Sequence, residues 1–286
     1  MRSQLGRLPY NWRAMNEYIE TNRRRWDEVV PFHVASDFYD VAAFKAGRST
    51  LMPVELAELG DVRGKTLLHL QCHFGLDTLS WARAGAIVTG VDFAPQAIAT
   101  ARQLAAELGI AARFVESNLY DLPQNLQGQF DIVFTSYGVL TWLPDLAEWA
   151  RIAASSVRPG GTFYLIDGHP MGNTFDDSPE TLALTPRYPY FTSETPLQFE
   201  EQDGSYATNA KLTNKRTVEF AHDLGEIVTS LIEAGLQIEF LHEFPFAAYQ
   251  ALPGMTKGSD GFWRLPGAES QVPFLFSVRA TKLASG

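Results

Sequence analysis

Five short apolar runs alternate with helical stretches between Thr66 and Ile166, and this alternation restricts the fold more than any other feature of the chain. The runs are Thr66–Gln71, Ile87–Val91, Ala112–Glu116, Asp131–Thr135 and Thr162–Ile166. Strands of a parallel sheet are buried on both faces and read as continuous apolar runs, and helices between them form the crossovers of βαβ units. The sequence therefore predicts an α/β fold with a doubly wound, mostly parallel sheet.

The helices between these runs carry start and stop signals. A helix is predicted over Leu76–Ala84 and another over Pro95–Leu108, which begins on a proline and is followed by Gly109. Proline suits the first helical position because its fixed φ and missing N–H cost nothing there. Asp145 and Glu148 have the spacing of a capping box, which predicts the start of a further helix.

Outside this region the pattern predicts helices before the sheet and two strands after it. The helices are expected at residues 10–30, Asp37–Lys45 and Pro53–Leu59. Residues 171–221 are rich in Pro, Thr, Asn and aromatic residues and show no βα alternation. A second capping box at Asp223 and Glu226 predicts another helix, and the last strands are expected at Gln237–His242 and Phe274–Thr281.

Composition excludes several classes of function. The chain has 286 residues and a formal net charge of −10, which argues against binding to phosphate backbones because such binding is driven by clustered Lys and Arg. No apolar run is long enough for a spanning helix, and the first residues lack the apolar stretch of a secretory signal. A single cysteine, Cys72, fits a reducing compartment. We expect a cytoplasmic protein that binds neither nucleic acid nor a membrane.

The turn after the first strand and the acid after the second indicate a nucleotide site. In an open α/β sheet, ligands bind outside the carboxyl ends of the strands, where the strand order reverses. Gln71-Cys72-His73-Phe74-Gly75 forms that first turn, and the second strand ends in Asp92. An ionised carboxylate can accept hydrogen bonds from both hydroxyls of a ribose. The alternative is that Asp92 caps only the helix that follows.

These stretches together resemble the class I S-adenosylmethionine-dependent methyltransferases. The resemblance rests on LLHLQCHFG, VTGVDF, FVESNLYDLP, FDIVFTSYGVLTWL and RPGGTFYLIDGHP, and covers about residues 60–170 and the last two strands. It implies a Rossmann-like, seven-stranded sheet with the last strand antiparallel. It also implies one domain built from a helical cap (1–60), a cofactor-binding half (61–170), a lid insertion (171–221) and the completion of the sheet (222–286).

The first turn departs from the family pattern. Gln71 and His73 stand where the family has glycines, only Gly75 is kept, and His69 replaces the usual acid. Glycine allows positive φ and close approach of a ligand to the backbone. We therefore expect either a more open loop or a backbone in the β region at the replaced positions. Asn118 stands where the family often has Asp.

The resemblance implies a cofactor site and a substrate site. Cofactor contacts are expected from Gln71, Cys72, His73, Gly75, Asp92, Phe93, Asn118, Leu119, Ser136 and Tyr137. Substrate contacts are expected from Trp26, Tyr39 and Tyr190. His69 and His73 lie on a strand and a turn and share no helix face, so we expect no metal site.

Two histidines are candidate bases. His169 follows the fifth strand and His222 precedes the helix capped by Asp223, both at the expected crevice. Neutral imidazole can take a proton from a hydroxyl or amine near neutral pH, whereas a carboxylate acceptor needs no base. The alternative is that one or both histidines are structural.

The sequence thus predicts a methyltransferase that uses S-adenosylmethionine on a small-molecule acceptor, at oxygen or nitrogen more often than carbon, and acts as a monomer or homodimer. Two alternatives stay open. One is a nicotinamide-dependent oxidoreductase, against which the absent Gly-x-Gly-x-x-Gly weighs. The other is a non-catalytic protein that has kept the fold.

Overall fold

A seven-stranded sheet forms the centre of the protein. The computed structural model describes residues 12–181, 184–192, 195–200, 203–267 and 272–283. The strands are β1 (Thr66–Leu70), β2 (Ile87–Asp92), β3 (Ala112–Glu116), β4 (Phe130–Ser136), β5 (Val157–Gly168), β6 (Leu236–Phe244) and β7 (Leu275–Lys282). Their spatial order is β3-β2-β1-β4-β5-β7-β6, and β7 runs antiparallel to both neighbours. The predicted fold class is confirmed.

The strand order reverses between β1 and β4, and this reversal fixes the position of the site. From β1 the chain moves outward to β2 and β3, then returns to place β4 on the other side of β1. Leu70 at the end of β1 is in register with Val91 on one side and Thr135 on the other. Because successive crossovers then leave on opposite faces, a crevice opens beyond the carboxyl ends of β1 and β4.

Helices cover both faces of the sheet. They are α1 (Trp12–Val34), α2 (Val41–Lys45), α3 (Pro53–Leu59), α4 (Leu76–Arg83), α5 (Pro95–Leu108), α6 (Leu122–Asn125), α7 (Leu146–Ser156) and α8 (Leu224–Glu233). Alternate strand residues face opposite layers: Leu68 packs in the core under α7 and α8, and Leu67 packs with α3 and Trp81 of α4. None of the described helices combines the length and apolar character needed to cross a membrane.

Element boundaries follow the predictions with a few instructive differences. α1 continues through Pro31 to Val34, and the predicted helical residues 10 and 11 lie outside the described residues. β5 begins at Val157, whereas the sequence predicts a start at Thr162. Val157 already pairs with Phe130 of β4, and the pairing continues from Thr162 after an irregularity at the Pro-Gly-Gly turn. Only half of each capping box forms: Asp145 accepts from the N–H of Glu148, but the Glu148 carboxylate pairs with Arg151.

Residues 203–220, here named the cover segment, are fastened to α1. The side chain of Asn22 bonds both polar groups of the Val218 backbone, at 2.7 Å to its carbonyl oxygen and 2.9 Å from its nitrogen. Arg25 donates to Gly204 O at 2.6 Å, and Glu28 accepts from Thr213 N at 2.6 Å. The short strand Thr217–Glu219 at its end pairs antiparallel with Leu197–Phe199.

Candidate active site

A cavity of about 1260 Å³ lies at the carboxyl edge of the sheet. Its floor comes from the turns that follow β1, β2, β4 and β5, and α1 and the cover segment lie over it. Ligand pockets for one small molecule usually measure about 300–1,000 Å³. The cavity is therefore large enough for a nucleoside-sized ligand and a second small molecule together.

The first turn holds a left-handed backbone without the family glycines. φ is 56° at Gln71, 49° at His73 and 81° at Gly75. The alternative of a β-region backbone is therefore wrong, because Gln71 and His73 adopt the left-handed conformation without being glycines. This conformation costs roughly 1–2 kcal/mol per residue. Neighbouring contacts hold it, since the N–H of His73 donates to Asp92 Oδ2 at 2.8 Å.

Gly75 alone keeps the family's glycine, and the packing explains why. A Cβ at this position would lie 2.7 Å from Cε1 of Phe114 and 3.0 Å from Cβ of Ala101. Both neighbours are buried, so neither can move away freely. Gly75 therefore permits the close contact of the first turn with β3 and α5.

Asp92 ends β2 beside this turn and lines the cavity. Its two oxygens accept from the N–H groups of His73 at 2.8 Å and Ala94 at 2.9 Å. A carboxylate offers about four lone pairs, so two stay available for the two hydroxyls of a ribose. Burial raises the pKa of Asp92 to about 6, although the amide hydrogen bonds oppose the shift. Asp92 thus supports the start of α5 and keeps capacity for a ligand.

Gln71 presents a buried acceptor to the same cavity. Its Nε2 donates to Val139 O at 3.1 Å, while its Oε1 is buried with no hydrogen-bond partner. Such an orphaned acceptor costs about 1–3 kcal/mol unless a ligand supplies a donor. Gln71 Oε1 is therefore placed to accept from an ammonium or amine group of a bound molecule.

The turns after β1, β2, β3 and β4, together with the last residue of β4, bring the other expected cofactor residues to the cavity. Those lining it are Cys72, Phe93, Asn118, Leu119, Ser136 and Tyr137. Asn118 Oδ1 accepts from Tyr120 N at 3.2 Å and caps the short turn that follows, which leaves its second lone pair for a ligand. Ser136 Oγ lies 3.2 Å from Nε2 of His69, whose Nδ1 lies 2.8 Å from Thr78 Oγ1.

Beneath Tyr137 lies a buried acid. The Tyr137 hydroxyl donates to Glu55 Oε2 at 2.6 Å, and the N–H of Met52 donates to Glu55 Oε1 at 2.6 Å. Burial raises the pKa of Glu55 to about 8, against both hydrogen bonds. Glu55 is therefore largely protonated at neutral pH and supports the cavity wall without adding a charge.

Glu55→Gln is expected to remove a pH-dependent part of the stability. The pKa of Glu55 rises from 4.5 to about 8 on folding, so its contribution is complete below the lower value and is lost as pH rises through the higher. The wild-type free energy of unfolding should fall relative to Glu55→Gln by up to about 1.4 kcal/mol per pH unit in that window. Urea unfolding from about pH 5 to about pH 8 measures this. A pH-independent difference, or the same trend in the exposed control Glu107→Gln, contradicts the assignment.

Asp167 near the end of β5 organises the loop after β4. Its carboxylate accepts from the N–H groups of Gly138, Val139 at 3.2 Å, Leu140 at 3.1 Å and Gly168 at 2.7 Å. Burial raises the pKa of Asp167, and the four amides oppose the shift. One buried carboxylate therefore fixes the turn next to Tyr137 and forms part of the cavity wall.

Aromatic residues close the cavity opposite the sheet. His73 Nε2 lies 2.9 Å from His33 Nδ1, and His33 Nε2 lies 2.7 Å from Ser205 Oγ of the cover segment. Burial, with a smaller effect of the Arg25 charge, lowers the pKa of His33 to about 4. This chain of polar contacts joins the first turn to the cover through neutral imidazoles.

All three residues expected at the substrate line this cavity: Trp26, Tyr39 and Tyr190. Trp26 packs edge-on against His73 with ring centroids 5.4 Å apart, and the Tyr39 hydroxyl lies 2.5 Å from that of Tyr206. Trp26 and Tyr39 thus lie above the first turn, whereas Tyr190 belongs to the stretch that precedes Leu197–Phe199.

The two candidate histidine bases are both held by protein groups. His169 does not line the cavity; its Nδ1 accepts from Met171 N at 3.0 Å, and its Nε2 lies 2.9 Å from Glu243 Oε1. Burial lowers the pKa of His169 despite that carboxylate. His222 lines the cavity, but its ring nitrogens lie 2.9 Å from Glu226 Oε2 and 2.7 Å from Leu143 O. Neither ring has a nitrogen lone pair directed to a substrate.

Several cavity residues escape sequence reasoning. Asp77 accepts from the hydroxyl of Thr50 at 2.5 Å. Asp167 lies in the stretch RPGGTFYLIDGHP but was not singled out, whereas Tyr206 and Glu219 come from segments without a motif. Asp77 carries a usable signal, since it lies in the first turn of a helix that starts at the nucleotide crevice. Within the described residues, no three His, Cys, Asp or Glu side chains form a group that could hold a metal ion.

The part of the chain that contains the first turn is similar to a known protein family. Residues 67–161 match the family model described as a methyltransferase domain. This part of the chain is similar to a methyltransferase domain. The matched residues contain the first turn, Asp92, the Asn118 turn and the loop after β4.

Relatives and solved structures extend the comparison. The chain is 30% identical over 154 residues to the ubiquinone biosynthesis O-methyltransferase of Xanthomonas euvesicatoria pv. vesicatoria, and the match covers 53% of this chain and 61% of that protein. A putative S-adenosylmethionine-dependent methyltransferase from Listeria monocytogenes has a TM-score of 0.56 at 16% identity, over 85% of this chain and 100% of the other. The glycopeptide N-methyltransferase MtfA, solved with S-adenosylmethionine, has a TM-score of 0.51 at 15% identity, over 82% and 88%. These structures share the fold.

Proposed function

We propose that this protein transfers a methyl group from S-adenosylmethionine to the oxygen or nitrogen of a small molecule. The observation that carries the proposal is Asp92, a buried carboxylate with spare lone pairs at the end of β2, beside the strand-order reversal. The relative named ubiquinone biosynthesis O-methyltransferase favours an oxygen acceptor. The net charge of −10 and the concave shape of the cavity favour a small molecule over a nucleic acid.

The residues present fit S-adenosylmethionine. The unpartnered Oε1 of Gln71 suits the ammonium of its methionine part, and Asp92 suits the hydroxyls of its ribose. Asn118 and Leu119 lie beyond β3, where an adenine edge would find one acceptor and one backbone N–H. When bound, the sulfonium supplies an activated methyl group and leaves as a neutral thioether.

The chain itself supplies alignment and exclusion of water. Holding two reactants in line lowers the barrier by about 7–11 kcal/mol in well-oriented reactions. Trp26, Tyr39 and Tyr206 lie over the first turn, and in this proposal their rings shield the reacting centre from part of the solvent. In this proposal residues 171–221 act as the lid of one domain, and the protein works in the cytoplasm as a monomer or homodimer.

Calorimetric titration with S-adenosylhomocysteine, with NAD as the control ligand, tests the proposal. Binding of S-adenosylhomocysteine but not NAD is expected, followed by methylation in a panel of hydroxyl and amine acceptors. Binding of NAD alone would favour the oxidoreductase alternative. A folded protein that binds neither ligand would favour the non-catalytic alternative.

A further inference from the structure

Glu219 is a carboxylate that lines the cavity from the cover segment. It ends the short strand Thr217–Glu219, which packs against α1, and its side chain is half-buried. Asp92 and Asp167, the buried acids at the sheet edge, are each engaged by backbone N–H groups. By contrast, among the described residues no backbone amide donates to the Glu219 carboxylate and no cation forms an ion pair with it.

The charged groups that face Glu219 come from three elements. Asp177 and the phenol of Tyr249 are close enough to interact with it electrostatically, as is Arg25 of α1. The guanidinium of Arg25 is occupied by the carbonyl oxygens of Gly204 at 2.6 Å and Asn214 at 3.1 Å. Burial, with the negative charge of Asp177, raises the pKa of Glu219 to about 7, and Arg25 opposes the shift.

The histidines near the cavity are unsuited to take a proton from a ligand. His73 faces His33, and His69 faces Thr78 and Ser136. His222 is held between Glu226 and Leu143 O, and His169 lies outside the cavity. Among the described residues, Glu219 therefore presents to the cavity a carboxylate that no backbone amide and no ion pair engages, so it can accept a proton from a ligand.

We propose that Glu219 is the general base for the acceptor, and that the acceptor presents a neutral hydroxyl or a protonated amine, not a carboxylate. This inference rests on the proposed function. The base would then come from the cover segment and not from His169 or His222, the two candidates that the sequence indicates.

Proton transfer and methyl transfer follow the same course for a hydroxyl and for a protonated amine. The acceptor's proton moves to a carboxylate oxygen of Glu219, and the lone pair left on oxygen or nitrogen forms the bond to the methyl carbon. The electrons of the carbon–sulfur bond leave with S-adenosylhomocysteine. A general base contributes most when its pKa lies near the working pH, because it is then ionised and still able to accept a proton.

The same geometry selects against anionic acceptors. A ligand carboxylate beside Glu219 and Asp177 would meet like charge in a cavity with aromatic walls. Trp26, Phe220 and Tyr249 also line this part of the cavity and suit a planar or aliphatic body. An acceptor with a cationic or neutral polar group on an apolar ring or chain therefore fits this surface.

The first experiment titrates the protein, saturated with S-adenosylhomocysteine, with catechol, benzylamine and benzoate. Catechol or benzylamine should bind at least roughly tenfold more tightly than benzoate, and Glu219→Gln should narrow that difference. With the acceptor that is methylated, Glu219→Gln should lower kcat on the order of 100-fold and abolish the rise of rate with pH near 7. Its affinity for S-adenosylhomocysteine should equal that of the wild type.

Glu200→Gln is the matched control, because Glu200 is an exposed carboxylate next to the paired strand and contacts Arg216 at the surface. It should leave binding and rate unchanged. Equal binding of benzoate and catechol, binding of none of the three probes, or an unchanged rate and pH profile in Glu219→Gln would overturn the inference. Failure of the wild type to bind S-adenosylhomocysteine refutes the proposed function instead, so the two failures are distinguishable.

Discussion

S-adenosylhomocysteine is expected to bind roughly 100-fold more weakly to Asp92→Ala than to the wild type. A hydrogen bond to a charged group contributes about 1.5–3 kcal/mol, and two ribose hydroxyls would lose this acceptor together. Calorimetry should be done near pH 8, where the carboxyl is ionised because its pKa lies at about 6. At lower pH the wild-type affinity should fall as Asp92 becomes protonated.

Glu116→Ala is the matched control for this result. Glu116 ends β3 in direct register with Asp92, but its side chain is exposed and does not line the cavity. Its removal should leave the affinity unchanged. If Asp92→Ala is folded by circular dichroism and binds as tightly as Glu116→Ala, the carboxylate serves only the start of α5 and the ribose assignment is wrong.

Asp167→Ala should lower the free energy of unfolding by about 3–5 kcal/mol. The substitution removes the acceptor of four N–H groups, at Gly138, Val139, Leu140 and Gly168. Each buried N–H left without a partner costs about 1–3 kcal/mol, and water entering the gap recovers part of that loss. Urea unfolding followed by circular dichroism measures the change.

Asp145→Ala is the reference variant, with which the destabilisation by Asp167→Ala is compared. Asp145 accepts from a single N–H, that of Glu148, at the start of α7, so its loss should cost about 1 kcal/mol. The ratio of the two effects tests whether Asp167 acts through the whole loop. Equal destabilisation by both variants would show that the loop after β4 holds its shape without the carboxylate.

The sheet is predictable from the sequence because its strands can be recognised from their own residues and the turn residues next to them. Thr66–Leu70 and Phe130–Ser136 are short runs that lie next to turn residues and are buried along most of their length, which is typical of inner strands of a parallel sheet. Asp92 is predictable for a related reason: a residue that ends a parallel strand lies at the ligand edge of the sheet whatever its neighbours are.

The backbone of the first turn is not predictable in this way. Nothing in the local sequence indicates positive φ at Gln71 and His73, because the conformation is held from outside by Asp92 and His33. His169 illustrates a similar limit. The chain turns after Gly168 and the N–H of His169 donates to Phe274 O, so its position at the sheet edge does not put its ring in the cavity.

Glu219, which lines the cavity, and His33, which contacts His73 of the first turn, were missed because they come from distant parts of the chain. No regular spacing in the sequence relates α1 to the cover segment. Their contact is evident only in the structure, where the side chain of Asn22 bonds the backbone of Val218. Residues that meet through tertiary packing alone leave no periodic signal in the sequence.

The attachment of the cover segment to α1 affects how ligands enter and leave the cavity. Asn22, Arg25 and His33 tie α1 to the cover segment along its length, at Val218, Gly204 and Ser205. Neither piece can swing away without breaking the hydrogen bonds that hold the other. In the proposed function, entry of S-adenosylmethionine and departure of S-adenosylhomocysteine should therefore depend on the joint movement of α1 and the cover segment.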